Sequence, residues 1–174
     1  EPQISAIEAY RPMLEQFYQN IRDGWKDYAY PDEVIYGSRG ENLHTGIFDE
    51  AVSYLWLYHT DTTLADAGYQ FLDVDHDGME ELIVGAADGY GTQTLYDLYT
   101  YRDGKIIHLA AAGERDTFSV GDGVVQESGS SGAMLHSYLN HHIENGDILP
   151  FESYKADGEA DEANPYFYSD EPYL

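Results

Sequence analysis

No cysteine occurs in the chain, so structural disulfides, thiolate nucleophiles and thiolate-bound zinc are excluded. Basic residues are scarce. Eight lysines and arginines stand against 33 aspartates and glutamates, a formal charge of −25. Such a surface repels phosphate backbones, so nucleic acid is not an expected partner. No apolar run approaches the roughly 20 residues that a membrane-spanning helix needs, so no transmembrane segment is expected. Catalytic and nucleotide signatures are missing as well: there is no His-Glu-x-x-His, no phosphate-loop lysine and no Gly-x-Ser-x-Gly elbow. Gly129-Ser130-Ser131-Gly132 reads as a flexible turn, and His136, His141 and His142 read as solvated or hydrogen-bonded histidines rather than zinc ligands.

What is present fits a globular chain. The 174 residues, 43% hydrophobic, suit a single domain over 1–174 that can bury a real core. Residues 1–60 read as mainly helical. Ser5 and Glu8 have capping-box spacing, and Ile4, Ile7, Leu14, Phe17, Tyr18, Ile21, Trp25 and Tyr28 fall near one face of a helix over 1–28. Pro12 predicts a second helix start or a kink, and Gly24 a stop. After an irregular connection over 29–44, Thr45 is placed to cap a helix running to about His59.

The period then changes from helical to alternating. Tyr69, Phe71 and Leu82-Ile83-Val84 read as strands, and an antiparallel sheet is predicted over 69–154. Arg102-Asp103-Gly104-Lys105, Gly121-Asp122-Gly123 and Asn145-Gly146-Asp147 supply its turns, and Ser128 to Gly132 a small-residue loop. Residues 155–174 form an acidic tail, held on the domain by the packing of Tyr166, Phe167, Tyr168 and Tyr173. The predicted fold class is therefore α+β: N-terminal helices followed by an antiparallel β-meander with a calcium-loop hairpin.

The sharpest feature is Asp73-Val74-Asp75-His76-Asp77-Gly78-Met79-Glu80-Glu81. With Asp73 first, Asp75 and Asp77 take the third and fifth positions, and Gly78 allows the turn. Met79 offers its backbone carbonyl at the seventh, and Glu81 a carboxylate at the ninth. Calcium takes six to eight oxygens in a flexible cage, which this pattern can supply. A helix-loop-helix site would need a glutamate at the twelfth position, where Val84 stands, so a calcium-bound β-hairpin is predicted instead. Two carboxylates about 4 Å apart repel by roughly 4 kcal/mol at an effective dielectric near 20, so a divalent ion would hold the bend together. The predicted metal ligands are Asp73, Asp75, Asp77, Met79 and Glu81, and the predicted cofactor is structural Ca2+.

These residues resemble the calcium loop of FG-GAP repeats in integrin α subunits. They are also similar to a hairpin of secreted proteins and lipoproteins of Gram-positive bacteria, with the pattern Tyr-x-Phe-x-Asp-x-Asp-x-(Asp/Asn)-Gly-x-x-Glu-Leu. Tyr69, Phe71, Asp73, Asp75, Asp77, Gly78, Glu81 and Leu82 match it. His76 replaces the usual glycine at the fourth position, and Glu81 replaces the aspartate common in integrins. The loop occurs once, so a propeller is not expected. The resemblance implies a calcium-binding bacterial domain, extracellular or anchored at the cell surface, with any signal or lipoprotein segment lying outside these residues. The expected role is that of a monomeric accessory domain binding a protein or glycan ligand. The alternative is a secreted glycan or peptidoglycan hydrolase, whose catalytic carboxylates the sequence does not pair.

Overall fold

The computed structural model describes residues 4–25, 61–87, 93–113, 115–158, 160 and 163–170. The first element is α1 (Ala6–Asp23). Its start is set by Ser5, whose hydroxyl donates to the Glu8 carboxylate at 2.6 Å while its N–H approaches the same oxygen at 3.4 Å. Its end is set by Gly24, at φ +65°, with the Trp25 N–H bonded to the Asn20 carbonyl at 2.8 Å and the Gly24 N–H to Ile21 at 3.2 Å. Pro12 neither opens a second helix nor interrupts this one. It sits inside α1 on the exposed side and forgoes only the N–H bond it cannot make. The buried stripe is Ala6, Ala9, Tyr10, Met13, Phe17 and Ile21. Ile4, Ile7 and Tyr18, expected on that face, are exposed, because fully buried Tyr10 turns the helix to present its own side of the cylinder. The helix expected from Thr45, with Tyr28 and Tyr173, lies outside the described residues.

Among the described residues, nine strands follow in two sheets. The first is β1 (Ala67–Leu72), β2 (Glu81–Ala87), β3 (Gln93–Arg102) and β4 (Lys105–Ala111). The second is β5 (Asp116–Gly121), β6 (Val124–Gly132), β7 (Leu135–Glu144), β8 (Asp147–Asp157) and β9 (Tyr166–Ser169). Both are antiparallel meanders in which each strand pairs with the next in the chain. The predicted turns hold. Asp103-Gly104 and Asn145-Gly146 form two-residue loops, closed by Arg102 opposite Lys105 and Glu144 opposite Asp147, with both loop residues at positive φ. A Cβ on Gly146 would meet Ile107 Cδ1 at 3.0 Å and Arg102 Cδ at 3.2 Å, at a φ of +80°. Gly146→Ala is therefore expected to cost about 1–2 kcal/mol. A thermal melt superimposable on the parent's would refute this.

The α+β expectation is overturned. Among the described residues the protein is mostly β, with two antiparallel sheets in a β-sandwich-like arrangement and a single N-terminal helix. The physical reason is that the first sheet is apolar on both faces. Leu82, Val84 and Tyr99 pack with Tyr10, Met13 and Phe17 of α1. Ile83 and Leu98, on the opposite face, pack with Phe118, Val125, Ile143 and Ile148 of the second sheet. One long meander would leave that second face in water, so the chain breaks after β4 and folds back across it.

One further expectation is corrected. Ser128 to Gly132 is not a loop but the end of β6, because Ser128 and Gly129 are paired on both sides, by β5 and by β7. Within the tail, β9 pairs with β8 and the Tyr168 ring lies against Tyr154, while Tyr166, Phe167 and Tyr168 remain exposed. The outward face of the second sheet carries two cross-strand rows. Ser128, Tyr138, Tyr154 and Tyr168 are in register across four strands, and Gln126, Asn140 and Glu152 across three.

Candidate metal centre

The acidic loop joins β1 to β2, and Leu72 opposite Glu81 is the last pair before it. The chain must turn left-handed twice to close it, at His76 (φ +62°) and Gly78 (φ +90°). At the first, His76 bears the strain a glycine would not. Carboxylates then cap the turn from inside. Asp75 Oδ1 accepts the Asp77 N–H at 3.1 Å, Asp73 Oδ2 the Gly78 N–H at 3.2 Å, and Asp77 Oδ1 the Met79 N–H at 2.7 Å. Val74 points the other way and is buried in the core between the sheets. His76 Nε2 lies 2.7 Å from Asp122 Oδ1, so the loop also touches the β5–β6 turn.

Glu81 is the enclosed member, at 1% exposure. Its Oε2 accepts the Val74 N–H at 2.8 Å, and its Oε1 the Thr100 hydroxyl at 3.0 Å. One carboxylate oxygen each from Asp73, Asp75 and Glu81 lie within 4.8 Å of one another. Asp77 stands outside this group, its Oδ1 turned to Met79, whose backbone N–H it holds. Asp73 Oδ1 is buried and has no hydrogen-bond partner among the described residues. Sequence reasoning missed Val74 and Thr100. Thr100 could be found by counting register back across the β2–β3 hairpin, since Leu82 faces Tyr99.

The charges are strained as they stand. Burial, together with the neighbouring Asp77 and Asp73 charges, raises the Asp75 carboxyl above its ordinary value. Burial, with Asp75 and Asp77 beside it, pushes Glu81 up to about 7 against the relief from Val74 and Thr100. Burial, with Glu81 close by, also raises the Tyr10 hydroxyl. In chelator the sign is clear. A folded-state value above 4.5 means that the Glu81 contribution is fully present below pH 4.5 and lost as pH rises through about 7. The stability difference between the parent and Glu81→Gln is therefore expected to change across that window. A difference flat in pH would remove the argument.

A hard cation fits these residues. Oxygens bound to one calcium at 2.3–2.6 Å can be no more than about 5 Å apart, which the three carboxylates satisfy. All are hard anionic oxygens, and Asp73 Oδ1 lacks the donor that a cation would replace. Calcium there would neutralise the bend. No histidine joins a metal-capable group among the described residues. His141 is buried against Glu127 Oε2 at 3.0 Å, and His142 stacks on Phe151 with ring centroids 4.0 Å apart. His136 is exposed on β7. No described helix is long and apolar enough to cross a membrane.

No family model matches the chain. No curated protein sequence matches it either. Among solved structures it is similar to "Structure of a Xanthomonas Type IV Secretion System related protein", at 17% identity and a TM-score of 0.37. That match covers 56% of this chain and spans about half (50%) of the length of the other.

Proposed function

We propose that this protein is a calcium-binding accessory domain, extracellular or attached at the cell surface, in which the ion is structural. The observation that supports this reading is the convergence of Asp73, Asp75 and Glu81 oxygens within 4.8 Å around a buried Asp73 oxygen that has no hydrogen-bond partner among the described residues. Asp77 and the Met79 carbonyl complete the set proposed from the loop's resemblance to FG-GAP calcium loops. The ion would tie the β1–β2 bend to the core, since Glu81 holds the backbone of Val74 and Val74 is rooted between the sheets.

The hydrolase alternative finds no support at Glu81. That group has the raised carboxyl a general acid needs, but it is enclosed by Val74 and Thr100 and offers no face to a substrate. The direct test is calcium titration by calorimetry, on the parent and on Asp75→Ala. Binding to the parent alone supports the proposal, and no heat from either ends it.

A further inference from the structure

We propose that Thr100 is the residue through which the loop selects calcium over magnesium, because it fixes the buried Glu81 carboxylate as a third anionic ligand. This deepens the calcium reading and rests on it. Asp73 and Asp75 are partly open to water, whereas Glu81 is 1% exposed. Each Glu81 oxygen is held by a donor from a different part of the chain. The Val74 N–H reaches Oε2 at 2.8 Å from within the bend, and the Thr100 hydroxyl reaches Oε1 at 3.0 Å from β3. A carboxylate oxygen has two lone pairs, so one bond to each leaves room for a cation. Thr100 thus ties the carboxylate to a strand that is no part of the loop.

Thr100 is itself held. It is 5% exposed, and its branched Cβ restricts the rotation that would turn the hydroxyl away. Tyr10 of α1 grips the residues on both sides of it. The Tyr10 hydroxyl donates to the Tyr99 carbonyl at 3.3 Å, and its ring meets Tyr101 edge-on with centroids 6.2 Å apart. The same ring stacks on Phe71, two residues before Asp73, at 5.9 Å. One buried side chain therefore holds both the strand that carries Thr100 and the strand that enters the loop.

The chemistry of the two ions gives Thr100 its consequence. Calcium takes six to eight oxygens in a flexible arrangement. Magnesium dehydrates reluctantly, keeps several waters and is bound through one or two carboxylates. An ion in contact with Glu81 gives up water on that side, because the group is enclosed. With Glu81 locked beside Asp73 and Asp75, three carboxylates meet in one place, which suits calcium. Without the Thr100 hydroxyl, Glu81 is released from one of its two ties. Asp73 and Asp75 then remain as the two open carboxylates that a hydrated magnesium can share.

The test is calorimetric titration of the full chain with calcium and, separately, with magnesium. The proteins are the parent, Thr100→Val, Thr100→Ser and Tyr10→Phe, each first checked for a cooperative melt in chelator. The parent is expected to bind calcium about tenfold or more tightly than magnesium. Thr100→Val keeps the shape of threonine without its hydroxyl. It is expected to weaken calcium by about tenfold or more, with magnesium changed by less than about threefold. Thr100→Ser keeps the hydroxyl and most of the calcium affinity. Tyr10→Phe leaves Glu81 untouched and lowers the calcium-to-magnesium ratio by a smaller factor; it carries the test if Thr100→Val does not fold. A role in packing alone would weaken both ions alike. The inference is overturned if the parent does not distinguish the ions, if Thr100→Val (or, where that does not fold, Tyr10→Phe) keeps the parent's ratio, or if Thr100→Ser loses as much as Thr100→Val. Failure of the calcium reading would show differently, as a parent that binds neither ion, and would end both.

Discussion

Millimolar calcium is expected to raise the thermal midpoint of the parent by roughly 5–10 °C, and Asp75→Ala to abolish the rise. An ion present at a hundred times its dissociation constant adds about 2.7 kcal/mol. For a chain of this size each kcal/mol moves the midpoint by about 2–4 °C. Asp75 is the informative position because it belongs to the carboxylate group yet makes a local bond only to the Asp77 N–H, so its removal leaves the Glu81 contacts with Val74 and Thr100 in place. In chelator the sign should reverse. Deleting one of three crowded acids relieves repulsion, and Asp75→Ala should then melt at or above the parent. Identical melting curves for the parent with calcium and with chelator would refute the structural ion.

The second large effect is expected at Gly85. A Cβ built there would overlap the Thr94 carbonyl oxygen and lie 3.1 Å from its carbon and 3.2 Å from Leu95 Cα. All three are backbone atoms, so no rotamer change can make room. Gly85 also sits where the β2–β3 register shifts. Gly85→Ala must push the two strands apart beside a tightly filled core, and a loss of about 3 kcal/mol or more is expected. Gly68, on β1, is the control: nothing lies within 4 Å of its would-be Cβ. Gly68→Ala should shift stability by about 0.5 kcal/mol at most. Urea unfolding of both variants decides the matter, and equal midpoints would show that the close approach is not a constraint.

The readable parts of this molecule are those governed by residues near one another in the chain. The turns at Asp103-Gly104 and Asn145-Gly146, the capping pair Ser5 and Glu8, and the stop at Gly24 are local chemistry and were visible in the sequence. The division into two sheets was not, because it depends on Ile83 and Leu98 needing cover that comes from Phe118, Val125, Ile143 and Ile148, far along the chain. The end of β6 was hidden for a related reason: Ser128 and Gly129 carry little strand preference of their own, and strands on both sides impose it. In the loop, spacing pointed to Asp73, Asp75, Asp77, Met79 and Glu81, and the carboxylate oxygens found together are those of Asp73, Asp75 and Glu81. Spacing did not show that Asp77 turns back to Met79 or that Thr100 comes from β3 to meet Glu81.

Since every strand lies beside its sequence neighbour, no pairing in either sheet waits for a distant part of the chain. Pairing between sequence neighbours keeps the contacts within each sheet local, and local contacts go with faster folding than distant strand pairings allow. Each meander could assemble hairpin by hairpin during emergence from the ribosome. The rate-limiting event would then be the closing of one finished sheet over the other, and substitutions at Ile83 or Leu98 should act mainly on that step.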